Sequence, residues 1–357
     1  MFPEDVQYLC CPISHKPLEI SQVFETNVDG EILSGELYYP VSGNKYPIKN
    51  GIPRFVFDKE YNKTWDYKWT QIDRGKGLNY RVVDKSDPMY RDHIFDLNNY
   101  NGQAYRHARD KVVLDIGCGV GQNSWLLLEE QQPFKVIAMD LTGGVNIFRK
   151  IMLERFPQYK SKILMVQASV FSMPFKDETF DYVFSLGVLH HTGNTRQAIK
   201  QACRVLKYGG QINLWIYASE PVPYEAEEPN RPNIYKPFMY VILAIRYLMV
   251  SFWIHTFRKM PHDRVVSFIE FVSSDFWYSL HKIPLIKTFV QLIFPSAIYE
   301  DYDMRFINNY DGYVNAWSDT WNEHEIFPVL RESNIAIQGI ADWRLGFWGI
   351  KIRDFYL

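Results

Sequence analysis

Residues 112–121 read Val-Val-Leu-Asp-Ile-Gly-Cys-Gly-Val-Gly. The run Val112 to Ile116 suits a buried strand. Glycines at 117, 119 and 121 suit a sharp turn, because they adopt torsions closed to other residues and let the backbone approach a ligand. A helix is predicted to begin near Asn123, so strand, glycine turn and helix follow one another in the order that places a nucleotide at a strand end. Further apolar runs follow at KVIAMD (135–140), KILMVQA (162–168), YVFSLGV (182–188) and QINLWIY (211–217), with amphipathic stretches between them. That rhythm predicts an α/β fold, a doubly wound, mostly parallel sheet with helices on both faces. Residues 336–353 (AIQGIADWRLGFWGIKIR) predict two more strands joined by a turn that return to the sheet.

The loop is G-x-G-x-G rather than the G-x-G-x-x-G of dinucleotide-binding dehydrogenases, and Asp115 stands two places ahead of its first glycine. Here the chain resembles the class I S-adenosylmethionine-dependent methyltransferases, with a Rossmann-like sheet, over about Lys111 to Tyr217. Asp115, Gly117, Gly119 and Gly121 match the family's first motif, whose loop lies against the methionine part of the cofactor. The next strand ends at Asp140, 19 residues beyond Gly121, where the resemblance implies a carboxylate accepting both ribose hydroxyls, with Leu141 flanking the adenine. Met165 to Phe175 matches the third motif, with Ser169 where an acidic side chain often contacts the adenine, so that contact is expected to rest on Ser169 and the backbone of Val170. Phe180-Asp181-Tyr182-Val183 and the strand end at Leu186-Gly187 match the fourth. Arg204 to Gly210 (RVLKYGG) matches a late turn, with Tyr208 in place of proline. The implied cofactor is S-adenosyl-L-methionine, and the implied cofactor-binding residues are Asp115, Gly117, Gly119, Gly121, Asp140, Leu141, Ser169, Val170 and Leu186.

His190 and His191 follow the fourth of these strands directly, at the edge where open α/β sheets bind ligands. A histidine there can take a substrate proton near neutral pH, and both are candidate catalytic residues. The other reading is that they pack or cap the next helix while positioning alone drives transfer. Asn308 to Asp311, with Trp343 and Arg344, are later candidates with a structural reading first.

From Tyr8 to Phe57 the chain alternates and turns often, predicting short strands. Cys11-Pro12, Lys45-Tyr46-Pro47 and Gly51-Ile52-Pro53 resemble the small zinc-ribbon-like module that activates tRNA and protein methyltransferases. The metal-binding form uses paired C-x-x-C knuckles, whereas here the knuckles fall on Cys11 with Ser14 and on Tyr39 with Ser42. Tetrahedral zinc needs four donors, so the expected metal is none and the module, residues 1–57, is read as a packing or docking unit. Residues 58–110 read as a helical connector. Trp65, Asp66, Tyr67 and Trp69 share one turn in it, a candidate cover for the cofactor. The methyltransferase domain is then expected over 111–357.

Residues 219–237 carry five prolines and four glutamates, a loop signature. The apolar stretch Phe238 to Phe257 follows. The region from about 219 to 309 is expected to be a helical lid inserted into the domain. Three readings of the apolar stretch stand: a buried or lid helix, a helix lying on a membrane surface, or a span, which Arg246 near its middle opposes by about 2.5 to 3.5 kcal/mol.

The composition narrows the function. With 47% hydrophobic and 22% charged residues the chain is neither disordered nor a coiled coil. A formal charge of -2 gives no global field toward nucleic acid. The four cysteines, Cys10, Cys11, Cys118 and Cys203, form no secreted framework, and Met1 to Leu9 lacks the features of a signal peptide, so a cytoplasmic location is expected, with peripheral membrane contact open. The expected reaction is methyl transfer to an oxygen or nitrogen of a small acceptor, sugar-like, lipid-like or otherwise amphipathic. The alternative is a macromolecular acceptor, protein or tRNA, docked through the N-terminal module.

Overall fold

The computed structural model describes residues 1–56, 63–73, 108–218, 236–314, 319–340 and 345–353. Strands β1 (Glu19–Thr26), β2 (Ile32–Tyr38), β3 (Lys45–Lys49) and β4 (Ile52–Pro53) form a small antiparallel sheet, followed by helix α1 (Lys63–Asp73). Then come β5 (Val112–Ile116), α2 (Gln122–Gln131), β6 (Lys135–Asp140), α3 (Gly144–Arg155), β7 (Ile163–Gln167), β8 (Phe180–Leu186), α4 (Thr195–Val205) and β9 (Leu206–Ile216). Five helices follow, α5 (Lys236–Phe257), α6 (His262–Ser273), α7 (Asp275–Leu280), α8 (Pro284–Ile293) and α9 (Tyr302–Val314). The chain closes with α10 (Glu323–Glu332), β10 (Ile335–Ile340) and β11 (Leu345–Lys351).

The large sheet runs β10-β11-β9-β8-β5-β6-β7. The pairs among β5 to β9 are parallel, and β11 is antiparallel to both β9 and β10. The expected fold class is thus observed, and the closing strands return to the sheet. Alternate residues feed two cores. Leu114, Ile116, Ile137 and Met139 face α4 and α10, whereas Val113, Val136 and Ala138 face Trp125 and Phe148 on α2 and α3. Both faces are covered, which is why the strands read as continuous apolar runs. From β5 the chain steps outward to β6 and β7, then returns to the other side of β5 as β8. The crevice at the carboxyl ends of β5 and β8 is therefore a topological switch point, where such sheets bind ligands.

Contacts divide the chain into two compact units, one of residues 1–69, 81–220 and 319–357, the other of 70–80 and 221–318. The small sheet and the large one fall in the same compact unit. The reason is physical. Leu37, Tyr46, Ile48 and Phe55 belong to the same continuous core as Leu164 and Val166. The edge strand β7, which would expose unpaired amides, is capped by this module: Arg54 pairs in parallel with Gln167, and the Phe55 amide donates to the Gln167 carbonyl at 2.8 Å. Buried charges add to the join, with Arg149 Nη1 2.7 Å from Glu31 Oε1 and Lys160 Nζ 3.3 Å from Glu31 Oε2. Burial works against the Glu31 carboxylate, but the Arg149 guanidinium prevails and holds its pKa down at about 2. Cys11 Sγ lies 3.3 Å from the Tyr46 hydroxyl. Among the described residues no cluster of His, Cys, Asp and Glu is arranged to hold a metal. Most of the expected connector, residues 58–62 and 74–107, lies outside the described residues, as does the proline-rich loop up to residue 235.

The second unit has its own core. Trp253, Phe257, Phe268, Phe294 and Tyr313 pack ring against ring, with Phe294 and Tyr313 stacked at 4.4 Å. Within it α9 is tied to α6. Asn309 Nδ2 donates to Ser273 Oγ at 3.0 Å, and Arg305 Nε to the Ser273 carbonyl at 2.7 Å. Among the described residues no helix is long and apolar enough to cross a membrane.

Candidate active site

The loop after β5 is built on three left-handed glycines, with φ of +80° at Gly117, +55° at Gly119 and +87° at Gly121. The amides of Gly117 and Cys118 both donate to the Met139 carbonyl, at 2.7 and 3.0 Å, which ties the loop to the end of β6. A Cβ on Gly117 would stand 2.4 Å from Val188, and one on Gly119 would stand 2.7 Å from the Trp69 ring. Glycine is thus demanded twice at each position, by torsion and by space.

Asp140 ends β6 and is almost fully buried. Its Oδ2 accepts from the Gly119 amide at 2.8 Å, and its Oδ1 accepts from both the amide and the hydroxyl of Thr142, at 2.8 and 2.7 Å. The carboxylate expected to face two ribose hydroxyls is therefore already committed on one oxygen and half committed on the other. A two-point contact there requires the Thr142 hydroxyl to rotate away. Asp115 lies deeper, with Oδ2 accepting from the Ser124 hydroxyl at 2.7 Å. Burial, and secondarily the neighbouring Asp140 charge, lift its pKa to about 7. Asp115 supports the loop from below.

Leu141 follows Asp140, and its carbonyl accepts from Gln167 Nε2 at 3.1 Å; Gln167 Oε1 in turn accepts from Arg54 Nη1 at 2.7 Å. The N-terminal module thus helps fix the residue expected beside the adenine. Ser169 caps the short turn that follows β7 by accepting from the Phe171 amide at 3.2 Å, and Val170 beside it is buried. Leu186, half-buried, ends β8. The structure brings Gly117 to Gly121, Asp140, Leu141 and Leu186 to the carboxyl ends of neighbouring strands.

Helix α1 closes one side. Asp66 Oδ1 accepts from the Gly143 amide at 2.7 Å, Trp69 rests on Gly119, and Trp65 meets His191 edge-on at 5.2 Å. The Trp65 to Trp69 turn legible in the sequence therefore reaches both the glycine loop and the histidines. His190 is fully enclosed, its ring 3.8 Å from Tyr217 and 4.0 Å from His191. Neither of its ring nitrogens has a hydrogen-bond partner among the described residues, and burial, then the adjacent His191, pull its pKa down to about 2. It is a neutral imidazole at physiological pH. His191 keeps slight exposure and stands edge-on to Tyr217 at 5.3 Å.

Sequence reasoning missed Thr142, and also Asp319 and Trp321. The Asp319 amide donates to the His190 carbonyl at 2.8 Å, and the Trp321 amide to that of Tyr217 at 2.9 Å. A Thr two places after a strand-ending Asp is the one signal that was there to read. Asn309 and Tyr310 are structural: Asn309 Oδ1 accepts from the Ala297 amide at 2.7 Å, and the Tyr310 hydroxyl lies 2.8 Å from His262 Nε2. Trp343 and Arg344 lie outside the described residues.

Residues 114–214, the strands and loops of this site, match the family model described as a methyltransferase domain. This stretch of the chain is similar to a methyltransferase domain. Among curated proteins, erythromycin 3''-O-methyltransferase of Saccharopolyspora erythraea is 30% identical over 136 residues, 38% of this chain and 42% of that one. The tRNA U34 carboxymethyltransferase of Aliarcobacter butzleri is 29% identical over 136 residues, 37% of this chain and 43% of that one. The chain spans less than half the length of these relatives, and their names point to different acceptors. Among solved structures, a SAM dependent methyltransferase from Aquifex aeolicus aligns over 78% of this chain and 100% of its own, at 12% identity and a TM-score of 0.39.

Proposed function

We propose that this chain transfers the methyl group of S-adenosyl-L-methionine to an oxygen or nitrogen of a small acceptor, sugar-like or lipid-like. The observation that carries the reading is the three-glycine turn held against the Asp140 carboxylate at the switch point of the sheet. The residues present suit the cofactor. Asp140 Oδ2 retains acceptor capacity for a hydroxyl, Leu141, Val170 and Leu186 offer apolar surface for a purine, and buried Trp69 Nε1 next to Gly119 has no hydrogen-bond partner among the described residues. When bound, S-adenosyl-L-methionine supplies an electrophilic methyl on a sulfonium.

The chain's own work is to bind, orient and shield. Gly117 to Gly121 admit a ligand close to the backbone, and Thr142 and Gly119 hold Asp140 in one orientation. Trp65, His191 and Tyr217 supply an aromatic wall suited to an apolar or ring-shaped acceptor. His190, fully enclosed and with its pKa pulled down to about 2, is a poor proton acceptor, so His191, which keeps slight exposure, is the candidate base. The near-zero net charge supports a small acceptor over a polyanion.

The test is incubation of the protein and isotopically labelled S-adenosyl-L-methionine with fractionated cell extract, read by mass spectrometry. One labelled methyl in the small-molecule fraction is expected. Label confined to protein or tRNA would overturn the small-acceptor reading and favour a macromolecular substrate.

A further inference from the structure

The second unit exposes more apolar surface than its own core explains. On α5, Ile245, Leu248 and Phe252 are 40%, 62% and 54% exposed; on α8, Ile286, Phe289 and Ile293 are 37%, 64% and 40% exposed. Both sets sit at i, i+3 and i+7, the spacing of a single helix face. The two helices are joined where Trp253 Nε1 donates to the Ile293 carbonyl at 2.7 Å, between Phe252 and the end of α8. Exposed apolar stripes of this kind mark an interaction surface, and single exposed hydrophobic residues do not.

The charge around the stripes says what covers them. From residue 236 to 262, and again from 276 to 299, the sequence contains no Asp or Glu. The described charged side chains there are exposed cations: Arg258 and Lys259 just beyond α5, Lys282 ahead of α8 and Lys287 within it. The unit's acidic residues lie in other segments, at Asp73, Glu225, Glu227, Glu228, Asp263, Glu270, Asp275 and from Glu300 onward. Apolar helix faces whose described charged side chains are Lys and Arg are complementary to a bilayer surface with anionic headgroups, in which aliphatic and aromatic side chains enter the acyl boundary and cations stay at the phosphates. We propose that α5 and α8 dock this protein onto the surface of an anionic lipid membrane, lying in the interface without crossing it.

The test is sedimentation of the full chain with vesicles of phosphatidylcholine alone or of phosphatidylcholine with one-third phosphatidylserine. Each basic side chain near an anionic surface multiplies partitioning by roughly fivefold, so the four cations together predict a preference of about six-hundredfold for the anionic vesicles, falling as salt is raised. The double variant Leu248→Glu/Phe289→Glu is expected to lose binding to both vesicles. Lys282→Gln/Lys287→Gln, which leaves the apolar stripes intact and keeps the assay interpretable if the first variant misfolds, is expected to lose about twenty-five-fold on anionic vesicles. Thermal melting checks that each variant is folded. The proposal is overturned if the wild-type chain stays in the supernatant with both vesicles, or if it binds both equally. It is also overturned if it forms a dimer that Leu248→Glu/Phe289→Glu disperses, since a second copy would then cover the stripes.

Discussion

Replacing Asp115 by Asn should stabilise the protein at alkaline pH and do little in mild acid. The carboxyl sits beneath the glycine loop with the Ser124 hydroxyl as its partner, and burial raises its pKa to about 7. The folded chain therefore binds a proton that the unfolded chain, with an ordinary carboxylate, has already released. Stability contributed by that proton is full below the unfolded pKa and is lost as pH rises to about 7. Between pH 5 and pH 8, about two pH units of this window are crossed, at about 1.36 kcal/mol each, or roughly 2.7 kcal/mol. Asn keeps the shape and the Ser124 contact but never ionises. The variant's melting temperature relative to wild type should thus rise by about 5 °C between pH 5 and pH 8, taking about 2 °C per kcal/mol for a domain of this size. Scanning calorimetry at both pH values reads the difference. An offset that is the same at pH 5 and pH 8 would mean that the carboxyl is ionised in the fold throughout, and the account of its burial would fail.

His190 should act with the opposite sign: its pKa is depressed to about 2, so the unfolded chain binds the extra proton, and His190→Phe should blunt the loss of stability that wild type shows below about pH 6.5. His191→Ala should lower turnover by about a hundredfold or more while cofactor affinity holds; a variant running at full rate would leave positioning as the whole account. Gly119→Ala places a Cβ 2.7 Å from the Trp69 ring at a φ of +55°. It should cost about 2 kcal/mol, and adding Trp69→Ala should recover the steric part in a melting experiment but not the torsional part. Glu31→Gln strips the charge from a carboxylate held at about 2 and leaves the buried Arg149 unpaired. A loss of about 3 kcal/mol at neutral pH is expected, shrinking as pH falls through the acid range; unchanged melting would show that the small sheet is joined by its shared core alone.

What the sequence made legible was local. Val112 to Gly121 announced strand, turn and helix because burial on both faces forces apolar runs and left-handed torsions force glycine. Asp140 could be placed by counting from Gly121. What it could not show were partners distant in the chain. Thr142, two places on, hints at a partner for Asp140, but nothing nearby says that Gly119 will occupy its other oxygen, or that Asp66 will reach the Gly143 amide. Arg54 looks like an ordinary charged residue after a Pro until the edge of β7 meets it. The reach of the helical unit to residue 318 depends on Asn309 and Arg305 finding Ser273, contacts without a periodic signature. His190 was readable as a candidate base, but its full enclosure against Tyr217 emerges only when β8 and β9 lie side by side.

The central claim is that the glycine turn and Asp140 together hold S-adenosyl-L-methionine, and titration calorimetry of the cofactor into wild type and Asp140→Ala tests it most directly. Wild type should bind one equivalent, and the variant should bind about ten- to a hundred-and-fifty-fold more weakly, the loss of about 1.5 to 3 kcal/mol expected when charge-assisted contacts to the ribose disappear. No binding by wild type, or the same dissociation constant in both proteins, would contradict the account.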